Sequence, residues 1–228
     1  MGDCKMELVK ILKKLNKVTL KSIYFNFKYL SLKQAVKLPF LISNKVYLLK
    51  AKGKVLIEGE IKPGMIEIGY GNVGIFDKKK SRSIWDVEGI VLFKGKANIG
   101  HGSKISVGEN GTLIMGENFK ISAESTIISS KKIEFGNACL LSWDVLIMDT
   151  DFHKIKDDNN LILNSDEEIR IGNNVWIGCR SLILKGSIIS NNSVIAANTI
   201  VKKKINRENI VIGGNPIRIL KDNITWEH

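Results

Sequence analysis

Cysteine, proline and histidine are scarce in this chain, with three of each among 228 residues. The cysteines have no paired spacing, so Cys4, Cys139 and Cys179 suggest neither a disulfide framework nor a zinc knuckle and are predicted to be buried or incidental thiols. No apolar run approaches the roughly 18 residues of a transmembrane helix, and the N-terminus lacks the uninterrupted apolar stretch of a secretory signal. These absences predict a cytoplasmic protein.

Acidic residues are scarce in the N-terminal half. Residues 1–54 contain 13 lysines but only Asp3 and Glu7, whereas residues 105–228 contain 14 basic and 15 acidic residues. The net charge of +12 therefore belongs to the N-terminal half. Within the basic segment, apolar residues recur at helical spacing between the lysines, at Leu8, Ile11, Leu12 and Leu15. This pattern predicts a basic amphipathic helix.

Two interpretations of this segment stay open. A basic amphipathic helix can bind an anionic membrane surface, which would place residues 1–50 at the inner face of a membrane. It can also pack its apolar side on the end of the fold and leave its lysines in water. Nucleic acid is not expected as a partner, because no recognised binding motif accompanies the charge.

A six-residue rhythm is the clearest pattern in the chain. From residue 171 to residue 201 every sixth position is a branched aliphatic residue, namely Ile171, Ile177, Ile183, Ile189, Ile195 and Val201. A period of six fits neither an α-helix nor a hairpin. It fits a parallel β-solenoid, in which three hexads form one triangular turn and the aliphatic side chains point along the axis. The pattern therefore predicts an all-β fold.

The same phase extends towards the N-terminus with longer steps at some corners. It passes through Met115, Ile121, Ile127, Phe135, Leu141 and Ile147, and His153 occupies the next position. Glycine and asparagine at the corners, as in Gly136–Asn137 and Gly172–Asn173–Asn174, are expected to supply positive φ. We predict a basic, largely helical segment over residues 1–54, the solenoid over 55–205 and a cap over 206–228.

One full coil separates His153 from Ile171, yet its in-phase residues are polar. Asn159 and Ser165 would not fill an apolar axis. We therefore predict a loop that leaves the solenoid after His153, spans residues 154–168 and returns at Ile169. Loops that project from a rigid scaffold commonly carry functional sites.

His153 lies at the root of this loop, close in sequence to Asp149 and Asp151. A carboxylate that accepts a hydrogen bond from one ring nitrogen would raise the basicity of the other nitrogen. Taken alone, the same arrangement also suits a surface ion pair.

The chain resembles the hexapeptide-repeat acyltransferases, most of all the maltose, galactoside and capsule or lipopolysaccharide O-acetyltransferases. The resemblance covers roughly residues 95–221. It is strongest in the block Ile-Gly-Asn-Asn-Val-Trp-Ile-Gly at 171–178 and in Gly-Asn-Pro-Ile-Arg at 214–218. It implies a left-handed parallel β-helix, a homotrimer, and active sites in clefts between neighbouring prisms where acetyl-CoA binds.

The resemblance also implies roles for individual residues. His153 would be the general base, and Asp151 or Asp149 would orient it. Ser122 and Trp143 would lie at the acceptor site, where Ser122 replaces an asparagine of the sugar acetyltransferases. The residues that would contact coenzyme A are Trp176, Cys179, Ala197, Lys202, Lys203 and Lys221.

The expected activity is acetyl transfer to a hydroxyl of a sugar, a polysaccharide or a lipid-linked glycan. An N-acetyltransferase that acts on an amino sugar and a noncatalytic β-helix scaffold are the alternatives. A metal-dependent hydrase would need three converging imidazoles. His101 and His228 are poorly placed to join His153, so no metal is expected.

Overall fold

The computed structural model describes residues 16–71 and 73–227, which form a triangular column of parallel strands. Two helices precede it, α1 (Leu20–Tyr29) and α2 (Leu32–Ala35). The first face of the column contains β1 (Phe40–Ile42), β4 (Ile66–Tyr70), β7 (Ala97–Gly100), β10 (Phe119–Ala123), β13 (Leu140–Trp143), β16 (Trp176–Ile177), β19 (Val194–Ile195), β22 (Ile210–Gly213) and β23 (Arg218–Asp222).

The second face contains β2 (Val46–Ala51), β5 (Ser83–Val87), β8 (Lys104–Val107), β11 (Thr126–Ser129), β14 (Leu146–Met148), β17 (Leu182–Leu184) and β20 (Ile200–Val201). The third face contains β3 (Lys54–Ile57), β6 (Ile90–Phe93), β9 (Thr112–Met115), β12 (Lys132–Phe135), β15 (Ile169–Ile171), β18 (Ile188–Ile189) and β21 (Lys204–Ile205). The chain turns from the first face to the second at the first corner, from the second to the third at the second corner, and back at the third corner.

The predicted aliphatic positions form the core of the column. Each of them is buried, from Ile171 to Val201 and upstream from Met115 to Ile147. Strand register stacks them, since Ile177 lies beside Ile195 on the first face and Ile183 beside Val201 on the second. The predicted hexad phase is confirmed.

Positive φ at the third corner occurs within the expected block Gly172–Asn173–Asn174 but one residue after the expected pair Gly136–Asn137. Ala138 has φ 55° and Asn174 has φ 52°, whereas Gly136 and Gly172 are not left-handed. Glycine is needed at 136 for space instead, because a Cβ there would lie 2.6 Å from Oδ1 of Asn173 in the next coil.

Helix α1 closes the N-terminal end of the column. Asn26 binds both backbone groups of Phe40, donating to its oxygen at 2.8 Å and accepting from its nitrogen at 3.1 Å. Ser22 Oγ accepts from the nitrogen of Ile42 at 2.8 Å. These bonds satisfy the open edge of β1, which would otherwise offer unpaired backbone groups to another strand. The ring of Phe25 packs edge-on against Phe40, with centroids 5.0 Å apart.

The column begins earlier than the predicted boundary at residue 54. Strands β1 and β2 lie before that boundary and already pair in parallel with β4 and β5. At the other end, β22 extends the first face beyond residue 205 and β23 pairs with it antiparallel. The amphipathic pattern at residues 8–15 lies outside the described residues. No helix within the described ranges has the length and apolarity to cross a bilayer.

Candidate functional site

The chain leaves the column at the second corner and returns after a full coil. Strand β14 ends at Met148 and β15 begins at Ile169, so residues 149–168 form one excursion. It starts earlier than the predicted start at residue 154 and rejoins the column at the predicted residue. His153 therefore lies within the excursion, where its side chain is exposed.

Asp149 anchors the root of the excursion. Its side chain is fully buried. One carboxylate oxygen accepts from the nitrogen of Ser130 at 2.6 Å, and the other accepts from Ser129 Oγ and from the nitrogen of Lys131, both at 3.0 Å. Both oxygens are thus bound to the corner of the preceding coil, and neither bonds to the imidazole of His153.

Asp151 belongs to a polar clamp on the backbone of His153. Its carboxylate accepts from Lys185 Nζ at 2.5 Å and from Asn164 Nδ2 at 2.8 Å. The same amide nitrogen donates to the carbonyl of His153 at 2.8 Å. The hydrogen bond from Lys185, followed by that from Asn164, holds the pKa of Asp151 below its usual value. The clamp fixes the backbone that carries the imidazole, and the ring itself has no hydrogen-bond partner among residues 16–71 and 73–227.

Asn164 and Lys185 were not singled out from the sequence. Lys185 also donates to the backbone oxygen of Asn164 at 2.7 Å, which ties the end of the excursion to the column. Register could have indicated Lys185, because Met148 pairs with Leu184 and the next residue therefore occupies the same corner one coil later. Asn164 carries no such signal, since it lies in an irregular polar loop.

Two of the residues expected to contact coenzyme A lie on the first corner. The nitrogen of Asn198 donates to the carbonyl of Cys179 at 2.9 Å, so Cys179 and Ala197 lie in neighbouring coils. Ala197 is exposed and borders a groove of about 450 Å³ whose other walls include Gly213, Gly214 and Pro216. The alanine and glycine side of this groove leaves the backbone open to an extended ligand, and Arg218 and Leu220 lie among its other walls.

The expected phosphate-binding lysines lie elsewhere. Lys202 and Lys203 are exposed on the second corner, two coils beyond His153, and Lys221 is exposed on β23. They do not share the groove beside Ala197 in a single chain.

Trp176 and Ser122 lie on the outer surface of the first face. Trp176 donates through Nε1 to Ser142 Oγ at 3.0 Å, and its ring lies 5.9 Å from that of Trp226. Ser122, half-buried, lies next to Ser142, because Ile121 pairs with Leu141. Trp143 is half-buried at the end of β13, on the first corner.

Two remaining candidates are structural in this arrangement. His101 is buried on the first corner with Nδ1 3.2 Å from Ser81 Oγ, and burial lowers its pKa. Cys139 is buried and donates to the carbonyl of Gly172 at 3.1 Å, while burial raises the pKa of its thiol to about 12. Within the described ranges, no three histidine, cysteine or acidic side chains converge as a metal site requires. His228 lies outside those ranges.

The imidazole and the groove stand on different corners of one prism. Strand β14, which separates the two corners in the coil of His153, has three residues, so these corners lie roughly 10 Å apart. The groove beside Ala197 lies two coils further along the axis, so the imidazole and the groove do not meet in a single chain.

The chain is similar to known transferases along much of the column. Residues 168–203 match the model of the bacterial transferase hexapeptide family, which describes six repeats. A solved maltose O-acetyltransferase from Clostridium difficile 630 is 30% identical, covers 60% of this chain and 70% of its own, and superposes with a TM-score of 0.50. The chain belongs to the hexapeptide-repeat acyltransferase family.

Two curated relatives of this family match the same region. The galactoside O-acetyltransferase of Escherichia coli K12 is 32% identical over 111 residues, which are 47% of this chain and 53% of that protein. The polysialic acid O-acetyltransferase of Neisseria meningitidis is 39% identical over 104 residues, 45% of this chain and 48% of that protein. The chain thus spans about half the length of these relatives. As a member of this family, it has the left-handed β-helix fold.

Proposed function

We propose that this protein is an acetyl-CoA-dependent O-acetyltransferase that acts on a hydroxyl of a saccharide, with His153 as general base. The observation that supports this proposal best is the exposed imidazole on a clamped backbone, at the point where a hexapeptide-repeat column opens. Relatives that share the column are O-acetyltransferases of galactoside and of polysialic acid.

The reaction needs one proton to move as one bond forms and another breaks. His153 removes the proton of the acceptor hydroxyl while the oxygen attacks the thioester carbonyl. The C–S bond then breaks, and the departing thiolate takes the proton, which gives the acetyl ester and free coenzyme A. A positioned base contributes about 10²- to 10⁴-fold to such a step.

Asp151 orients the base indirectly in this proposal. Its carboxylate and the carbonyl of His153 bind the same amide group of Asn164, so the clamp sets the direction of the imidazole through the backbone. Asp149 fixes the root of the excursion. Direct contact between either carboxylate and the ring is not needed for this role.

The thioester carrier binds along the first corner. Cys179 and Ala197 are small enough to let a pantetheine arm approach the backbone, and Trp176 lines the adjacent face. Lys202 and Lys203 on the second corner of a neighbouring copy, together with Lys221, offer point charges for the phosphates.

The active site forms between copies of the chain. Because the groove and the imidazole of one prism face different directions, a complete site needs the first corner of one copy beside the second corner of the next. In a homotrimer, threefold rotation repeats this contact three times and closes the ring of subunits. Ser122 and Trp143 then line the acceptor side of the cleft.

The acceptor is a glycan or a lipid-linked saccharide assembled at the inner face of a membrane, where the basic N-terminal segment keeps the enzyme. Ser122 supports an acceptor unlike that of the maltose and galactoside enzymes, because an asparagine occupies its place in them by the resemblance.

Thiol release from acetyl-CoA tests the activity. The protein is incubated with acetyl-CoA and a panel of neutral, acidic and amino sugars and oligosaccharides. We expect release with hydroxyl acceptors and a loss of about 10²- to 10⁴-fold in His153→Ala. Lys156→Ala, an exposed change in the same excursion, is the matched control and should retain activity. Equal rates for His153→Ala and the parent would contradict the base, and release with amino sugars alone would favour N-acetylation.

A further inference from the structure

Helix α1 is apolar on two opposite sides. Its inner side packs on the column through Phe25, whereas Leu20, Ile23, Tyr24 and Phe27 are 85%, 42%, 53% and 48% exposed. Their spacing of three, four and seven residues places them along one stripe of the helix. An exposed apolar stripe of this kind is typical of a surface that binds another protein or a membrane.

Helix α2 and the residue after it carry two more exposed apolar side chains. Leu32 is 70% exposed and Val36 is 60% exposed, again four residues apart. We name Leu20, Ile23, Tyr24, Phe27, Leu32 and Val36 together the N-terminal apolar face.

This face cannot turn towards the core. Rotating α1 would break the two hydrogen bonds between Asn26 and Phe40 and the bond between Ser22 and Ile42. The outward direction of the stripe is therefore part of the fold.

The segment that contains the N-terminal apolar face is rich in lysine. Residues 8–57 contain 12 lysines and no acidic residue. Lys28, Lys33 and Lys37 are exposed and make no ion pair with any residue that the structure describes. Lys17 and Lys21 are bound instead to Glu67 and to backbone carbonyls. An anionic partner complements such a surface.

We propose that the N-terminal apolar face docks on the surface of an anionic phospholipid membrane. The apolar side chains enter the boundary between headgroups and acyl chains, and the three free lysines lie against the phosphates. A second copy fits this surface less well, because a symmetric contact would bring lysines against lysines. Residues 1–15 also fit less well, since their four lysines exceed Asp3 and Glu7.

Docking would set the distance between the membrane surface and the proposed transfer site. The face caps the first coil, and His153 lies in the fifth, so four strand spacings give roughly 19 Å along the axis. This inference assigns a defined surface of the protein to the membrane location in the proposed function. It is tested by binding without any activity measurement, so its failure is distinct from failure of the acetyl-transfer proposal.

Co-sedimentation of the full chain with vesicles tests the proposal. We expect binding to vesicles that contain phosphatidylglycerol, weak binding to pure phosphatidylcholine, and release at high salt. Leu20→Ser with Phe27→Ser should lower the partition coefficient at least about tenfold. Lys28→Glu with Lys33→Glu provides a second variant that alters charge without touching apolar contacts, and it should weaken binding to anionic vesicles alone.

Matched changes at exposed apolar residues elsewhere are the control. Ile75 and Leu161 are 71% and 64% exposed, and Ile75→Ser with Leu161→Ser should bind like the parent. Failure of the parent to bind anionic vesicles would overturn the proposal. The proposal would also be overturned if the double variant Leu20→Ser, Phe27→Ser bound vesicles like the parent while the double variant Leu8→Ser, Leu12→Ser did not bind. A change of oligomeric state in Leu20→Ser with Phe27→Ser without lipid would assign the face to a contact between copies and also overturn it.

Discussion

The excursion of residues 149–168 and the coils that follow it are built in opposite ways. From β15 to β21 each hexad buries one aliphatic side chain, and strand register repeats every coil. Residues 149–168 bury almost no apolar side chain and are held by Asp149, Asn164 and Lys185 through polar contacts. The repeating coils carry the stability of the molecule, and the interruption carries the candidate chemistry.

The contrast also shows how a loop without a core can hold a side chain in place. The buried carboxylate of Asp149 joins the start of the excursion to the coil before it, and Lys185 joins Asn164, near the end of the excursion, to the coil after it. The excursion is thus tied at both ends to rigid strands. The backbone of His153 is therefore held in place while its imidazole stays exposed.

Removing an inward side chain should give the largest effect on stability. Ile183 is fully buried, and we expect Ile183→Ala to lower the free energy of unfolding by about 2–5 kcal/mol. Leu161→Ala, in the excursion, should change it by no more than about 0.5 kcal/mol. Denaturant unfolding of both variants measures the difference, and similar losses would break the comparison between the two regions.

Loss of the lysine in the clamp should affect catalysis more than stability. In Lys185→Met the ties to Asp151 and Asn164 are absent, so we expect kcat to fall about tenfold or more because the imidazole is misplaced. The KM for acetyl-CoA should stay near that of the parent, since Lys185 is not among the residues proposed to contact coenzyme A. Lys185→Arg should restore part of kcat. A variant that loses stability and leaves kcat unchanged would show that the clamp serves folding alone.

Lowering the pH should weaken the hydrogen bonds that Asp151 accepts, with a smaller effect than the two substitutions above. Because the pKa of Asp151 is lowered in the folded chain, its contribution to holding the excursion is complete above the ordinary carboxyl pKa of about 4 and is lost as the pH falls through the lowered value. Nuclear magnetic resonance of the Asn164 side-chain amide over this range measures the step. Asp151→Asn should remove it, and a midpoint at or above the ordinary value in the parent would contradict the clamp.

The sequence predicted the column well where one rule governs it. The register from Ile171 to Val201 follows from a single period, because every inward position faces the same apolar axis. Strands β1 and β2 were missed because they precede the clear hexads, in a segment whose lysines favoured a helical interpretation. The start of the excursion was missed because Asp149 is satisfied by Ser129, Ser130 and Lys131, which lie 18–20 residues earlier.

The site was harder to predict than the column. His153 could be singled out because it follows the phase into a polar loop. Its surroundings could not, since Asn164 lies 11 residues away and Lys185 lies 34 residues from Asp151. These pairs meet only through the path of the loop.

Complementation between two inactive variants tests the central claim most directly, that the base of one copy works on the thioester bound by its neighbour. His153→Ala, with an intact groove, and Ala197→Trp, with a blocked groove, are co-expressed with different tags, and assemblies that carry both tags are purified. Each variant alone should be inactive. The mixed assemblies should regain about a third of the parent's activity, because each trimer that carries both tags has one contact in three that unites an intact groove with an intact imidazole. Mixed assemblies as inactive as either variant alone would contradict a site shared between copies.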